Sequence, residues 1–203
     1  MTSSPTTTRP RDTRRAMLLR AVALLGLAAG CATTSSGTPV PMSQPAGELA
    51  PGAAFAPIGE LVFSDGRGAA YDAYRVQGPR VNMTYASNGA WSGLLDGRNV
   101  MVTAAAGKIT GAGGTLYVNR EGDQLTIRGQ WMQRSISLVV SAAALKGRTG
   151  EVGPSFDFTR TARNVMSGQM GVGRGGVELR GEAQQVPEVA MPQFVLALLA
   201  TLP

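Results

Sequence analysis

The chain has 203 residues, with 19 Lys and Arg against 13 Asp and Glu, one cysteine and no histidine. The missing histidine excludes Ser-His-Asp and Cys-His catalysis and the commonest zinc ligand set, and a lone cysteine cannot close an internal disulfide. The net charge of +6 is largely N-terminal: residues 1–30 hold five Arg and one acid, leaving 14 basic against 12 acidic residues beyond them. No run of basic residues marks the rest of the chain as a nucleic-acid binder, and its aromatics are too few and scattered for a base-stacking platform.

Residues 1–15 are polar and basic, and Ala16 to Ala29 are apolar apart from Arg20 and Gly26. The longest uncharged run, Ala21 to Gly30, is half the roughly 20 residues that a spanning helix needs. A basic front, a short apolar middle and small residues at its end predict a secretory signal that is removed. Ala28-Ala29-Gly30-Cys31 resembles the lipobox of bacterial lipoproteins, with Leu27 one place upstream of the family's preferred large aliphatic residue. The resemblance implies cleavage before Cys31, fatty acylation of its thiol and a membrane partner reached through that lipid. Two or more acyl chains give stable anchoring, whereas one gives marginal binding. Ala32 follows in place of the aspartate that signals inner-membrane retention in that family, which points to the outer membrane of a two-membrane host. Thr13-Arg14-Arg15-Ala16-Met17-Leu18 resembles a twin-arginine export signal. The alternative is an ordinary signal whose basic front carries Arg14 and Arg15 by chance.

Ala32 to Pro57 is rich in Ala, Thr, Ser, Gly and Pro, with prolines at 39, 41, 45, 51 and 57. Proline denies a segment regular helix and ladder bonds, so residues 31–57 read as a lipidated cysteine followed by a disordered tether. From residue 58 short alternating runs begin. Val81, Met83 and Tyr85 alternate with polar neighbours, as do Val102 and Ala104, Leu116 and Val118, Leu125 and Ile127, Ile136 and Leu138, and Phe156 and Phe158. A period of two predicts strands with one face in the core. Turn residues such as Asp96-Gly97 and Glu121-Gly122-Asp123 join them as hairpins. Residues 58–203 are therefore expected to form one all-β domain, an antiparallel meander of about 8–10 strands closing as a small barrel or sandwich. Pro192 to Leu202, with Pro at a first helical position, is expected to add a short helix or strand that plugs the core.

Few side chains point to chemistry. Gly171-Val172-Gly173-Arg174-Gly175-Gly176 matches a dinucleotide-binding pattern, but the residues after it continue as a strand instead of the required helix, so a hairpin is expected. Met83, Met101, Met132, Met166, Met170 and Met191 read as core filler, not as a thioether copper site. Glu178 and Glu182 beside Arg180 read as a solvated strand face, and Asp157 near Arg160 and Arg163 as an outer-face ion pair. No catalytic, cofactor-binding or metal-ligating residues are assigned. The expectation is a lipid-anchored envelope protein with a non-catalytic binding or structural β-domain. Its partner would be an apolar ligand held in a barrel mouth or a second envelope protein, and not nucleic acid. The alternative is an enzyme acting on envelope glycan or lipid, which requires two carboxylates about 5–9.5 Å apart in a cleft.

Overall fold

From residue 59 onward the alternating runs become a continuous antiparallel meander, in a computed structural model that describes residues 37–45, 47, 49–87, 89–186 and 191–203. The strands are β2 (Gly59–Phe63), β3 (Gly68–Tyr71), β4 (Arg75–Gly78), β5 (Val81–Ser87), β6 (Ala90–Leu95), β7 (Arg98–Ala105) and β8 (Lys108–Gly111). They continue with β9 (Gly114–Glu121), β10 (Gln124–Trp131), β11 (Arg134–Ser141), β12 (Ala144–Thr149), β13 (Ser155–Ala162), β14 (Val165–Met170) and β15 (Gly173–Gly181). Each pairs with the next, and β15 pairs back onto β2 in the register Leu179↔Leu61, so the sheet closes as a fourteen-stranded barrel without an open edge. A two-residue strand, β1 (Thr38–Pro39), pairs with β9 beyond the end of the shorter β8.

The strand number exceeds the expected 8–10 for a physical reason. β3 (Gly-Ala-Ala-Tyr), β4 (Arg-Val-Gln-Gly) and β8 (Lys-Ile-Thr-Gly) have four residues each, too few and too small to display a period of two. The glycine-rich motif at 171–176 is a hairpin: β14 ends at Met170 and β15 starts at Gly173.

The inner face carries Leu61, Phe63, Val76, Met83, Trp91, Leu116, Ile127, Leu138 and Phe158, all at most 2% exposed. Their rings meet edge to face, as in Tyr85 on Trp91 with centroids 5.5 Å apart and Phe156 on Phe158 at 6.1 Å. Through the middle runs α1 (Gln193–Thr201), whose nine residues are all buried. Its sequence Phe-Val-Leu-Ala-Leu-Leu-Ala is apolar all round, the pattern of a helix surrounded on every side. It lies against β2, β3 and β4, where Ala69 faces inward and leaves room. Gln193 donates to the carbonyl of Ala73 in the β3–β4 turn at 2.8 Å. At the opposite rim, Arg80 donates to the Leu202 carbonyl at 3.0 Å and Arg134 to the Pro203 oxygen at 3.2 Å. The C-terminal segment thus reaches from one rim to the other.

Part of the expected free tether departs from that expectation. Val40 and Met42 are 4% and 7% exposed, and Val40 donates its N–H to Val118 at 3.1 Å. Gln44 accepts from the Tyr85 hydroxyl at 3.1 Å. Further on, Arg75 donates to the carbonyls of Ala53 and Ala54 at 2.7 and 2.6 Å and stacks 5.3 Å over Phe55. These contacts all fall on the rim that holds the β3–β4, β5–β6 and β7–β8 turns. Prolines prevent regular structure here but not docking, because fixed carbonyls and apolar side chains are enough to bind.

Candidate functional site

Cys31, Arg14 and Arg15, the residues with an expected role in anchoring and export, lie outside the described residues. What the barrel itself offers is two rims and an outer wall. α1 lies inside the barrel, so the mouth in which an apolar ligand is expected is one of these two rims.

At the rim beside the end of α1 lies a pocket of about 340 Å³, lined among others by Trp131, Leu199 and Leu202 below and by Arg80, Arg98 and Arg134 around it. The arginines come from the starts of strands or the turns before them: Arg80 precedes β5, Arg98 opens β7 and Arg134 opens β11. Arg80 is paired with Asp96 at 2.5 Å, and Arg134 with the backbone oxygen of Pro203. Arg98 has no ion-pair partner among the described residues. An apolar floor under a cationic rim suits an acidic group carried on an apolar body. Sequence reading missed this trio, because 80, 98 and 134 are isolated in the chain and meet only through the alternation of turns between two rims.

The carboxylates are mostly engaged by cations. Asp72 is 6% exposed and accepts from the backbone N–H groups of Tyr74 and Arg75 at 2.8 and 2.7 Å and from Arg75 Nε at 2.9 Å. Asp65 is bound by Arg67, whose guanidinium holds its carboxyl below the usual range. Asp157 pairs with Lys146 at 3.0 Å, while Arg160 turns away to the carbonyls of Ala142 and Arg163. Two acids do converge: Glu60 and Glu178 share Arg180, each at 3.0 Å. They sit on the exposed outer wall, and the Arg180 hydrogen bond lowers the Glu178 carboxyl. A general acid needs the opposite shift, to a raised value, so this trio is an ion network with no acid–base division.

The network makes a direct prediction. In Arg180→Gln the Glu178 carboxyl should titrate at higher pH than in the parent, back toward its ordinary 4.5. Carboxyl NMR across pH 2–7 will show it; an unmoved midpoint would mean that the pair does not persist in solution. Because the folded value is depressed, its small stabilisation is present at neutral pH and lost as pH falls through the folded value.

Two buried polar atoms among the described residues take no part in this network. The Tyr71 hydroxyl and the Gln193 side-chain oxygen have no hydrogen-bond partner among the described residues. Burial, followed by the charge of Glu182, pushes the Tyr71 phenol up, so it stays neutral throughout the physiological range. No helix among the described residues is long and apolar enough to cross a membrane. Compared with protein-family models, curated proteins and solved structures, the chain finds no match.

Proposed function

We propose that this chain is a lipid-anchored protein of the cell envelope, in which the helix-filled barrel serves as a binding or structural module. The observation that carries the reading is the junction of address and fold: the lone Cys31 closes the apolar segment, and seven residues later Thr38 is already paired to β9. Seven peptide units reach at most about 25 Å, so an acyl group on Cys31 would hold the barrel wall close to its bilayer. Export through a signal that includes Arg14 and Arg15, cleavage before Cys31 and residence in the outer membrane belong to the same proposal. α1 inside the barrel favours a partner that docks on the surface, and the arginine-rimmed pocket beside Leu202 suits an acidic one.

Cys31→Ser tests the anchor. The parent is expected in the membrane fraction and the variant in the soluble fraction, with the acyl mass gone from the purified protein. A variant that stays with the membrane would remove the anchoring scheme.

A further inference from the structure

We infer that the outer face of β8 to β12 is a docking surface for anionic lipid headgroups, built from Lys108, Arg128 and Arg148 with Tyr117 between the first two. Strand pairing puts them in one row. Lys108 is opposite Tyr117, Tyr117 opposite Arg128, Arg128 opposite Ser137, and Ser137 opposite Arg148. All five side chains are exposed, and the Lys108 ammonium lies 5.8 Å over the Tyr117 ring. With strands about 4.8 Å apart, successive cations stand about 10 Å from one another.

The charge of this row is not neutralised. Arg67, Arg75, Arg80, Lys146 and Arg180 are each paired with a carboxylate, whereas Lys108, Arg128 and Arg148 have no ion-pair partner among the described residues. The row contains no acid; Glu121, at the far end of β9, lies four residues beyond Tyr117 and accepts from Thr126 at 3.5 Å. No run of basic residues announces the row in the sequence. The three cations are 20 residues apart in the chain, and only the hairpin register aligns them.

The choice of a lipid surface rests on the proposed anchor. β1 pairs with β9 at Asn119 and Arg120, beginning two residues from Tyr117, so the strand that receives the chain from Cys31 is one of the five that build the row, beside both Lys108 and Arg128. Charges act over about 8 Å in physiological salt, and an acyl anchor within about 25 Å of chain from Thr38 would let the row come within that range of the bilayer. The half-exposed Tyr117, apolar in its ring and polar at its tip, suits the headgroup boundary.

The test uses the full chain carrying Cys31→Ser, so that no acyl group takes part, and vesicles of phosphatidylcholine with or without 30 mol% phosphatidylglycerol. A basic residue at an anionic surface strengthens partitioning roughly fivefold. Lys108→Gln with Arg128→Gln and Arg148→Gln should therefore lower co-sedimentation with the anionic vesicles at least tenfold, at an unchanged unfolding midpoint. The equal charge loss Arg163→Gln, Arg174→Gln and Arg180→Gln, at exposed positions outside both the row and the rim pocket, should lower it less than twofold; the five N-terminal arginines are common to all variants. Equal losses in both triples, no loss in the first, or binding of the stripe to a short oligonucleotide or heparin in preference to vesicles would each overturn the inference. Failure of the acyl anchor would leave this result untouched, since the assay contains none.

Discussion

Deleting residues 192–203 will leave a chain that no longer unfolds cooperatively. α1 is not a decoration on the barrel: Phe194, Val195, Leu196, Ala197 and Leu198 are at most 1% exposed, and the helix packs on the inner face of β2, β3 and β4. Without it a fourteen-stranded ring encloses apolar walls with nothing between them. Cavities of that size are costly, and water entering them would meet Leu, Phe and Met side chains. Graded substitutions make the point without deletion. Leu198→Ala should cost about 2–5 kcal/mol and Phe194→Ala about 3–5 kcal/mol, against a total stability of about 5–15 kcal/mol for a typical domain. Leu198→Asp, which buries an unpaired charge, should not fold. Urea titration followed by near-ultraviolet circular dichroism reads all four; a truncated chain with the parent's midpoint would show that the barrel stands by itself.

Gly129→Ala and Gly147→Ala should each destabilise by about 2–5 kcal/mol, although the change adds a single methyl group. Both residues lie inside strands, at φ +141° and +146°, a conformation that side chains rarely adopt. A Cβ at either would stand 2.1 Å from a carbonyl of the neighbouring strand, that of Thr115 or Ser137. The backbone penalty is about 1–2 kcal/mol, and overpacking adds about 1–3 kcal/mol. Gly122→Ala separates the two contributions. Its φ is +63°, but nothing lies within 4 Å of the added group, so only the backbone penalty of about 1–2 kcal/mol should appear. If all three variants lose the same amount, the close approach of strands is not what these glycines serve.

Those two glycines belong to a series. Gly93, Gly111, Gly129 and Gly147 lie in β6, β8, β10 and β12, all at φ between +132° and +147° and all spaced 18 residues apart. Every second strand from β6 to β12 therefore has a point at which its neighbour can press close and the sheet can coil. Glycine in a strand weakens a flat sheet but permits a sharp bend, which is how many short strands curve around one helix. The spacing was present in the sequence, yet its meaning depends on pairing: 18 residues is one hairpin, and only the register shows that each glycine faces a carbonyl.

What the sequence determined by itself was local. Alternation placed Val81, Met83, Leu125 and Ile127 on an inner face, Asp-Gly and Gly-Asp pairs placed the hairpins, and the all-apolar end predicted a plug. These readings hold because they depend on spacing within a few residues. Strand number failed where β3, β4 and β8 were too short to carry a period, and the tether departed where Arg75 and Tyr85 hold it from a distance in sequence. The Arg80, Arg98 and Arg134 rim and the Lys108, Arg128 and Arg148 row were invisible for one reason. Each is assembled from single residues on separate hairpins, and which residues become neighbours is decided by barrel closure and register, which no local pattern encodes.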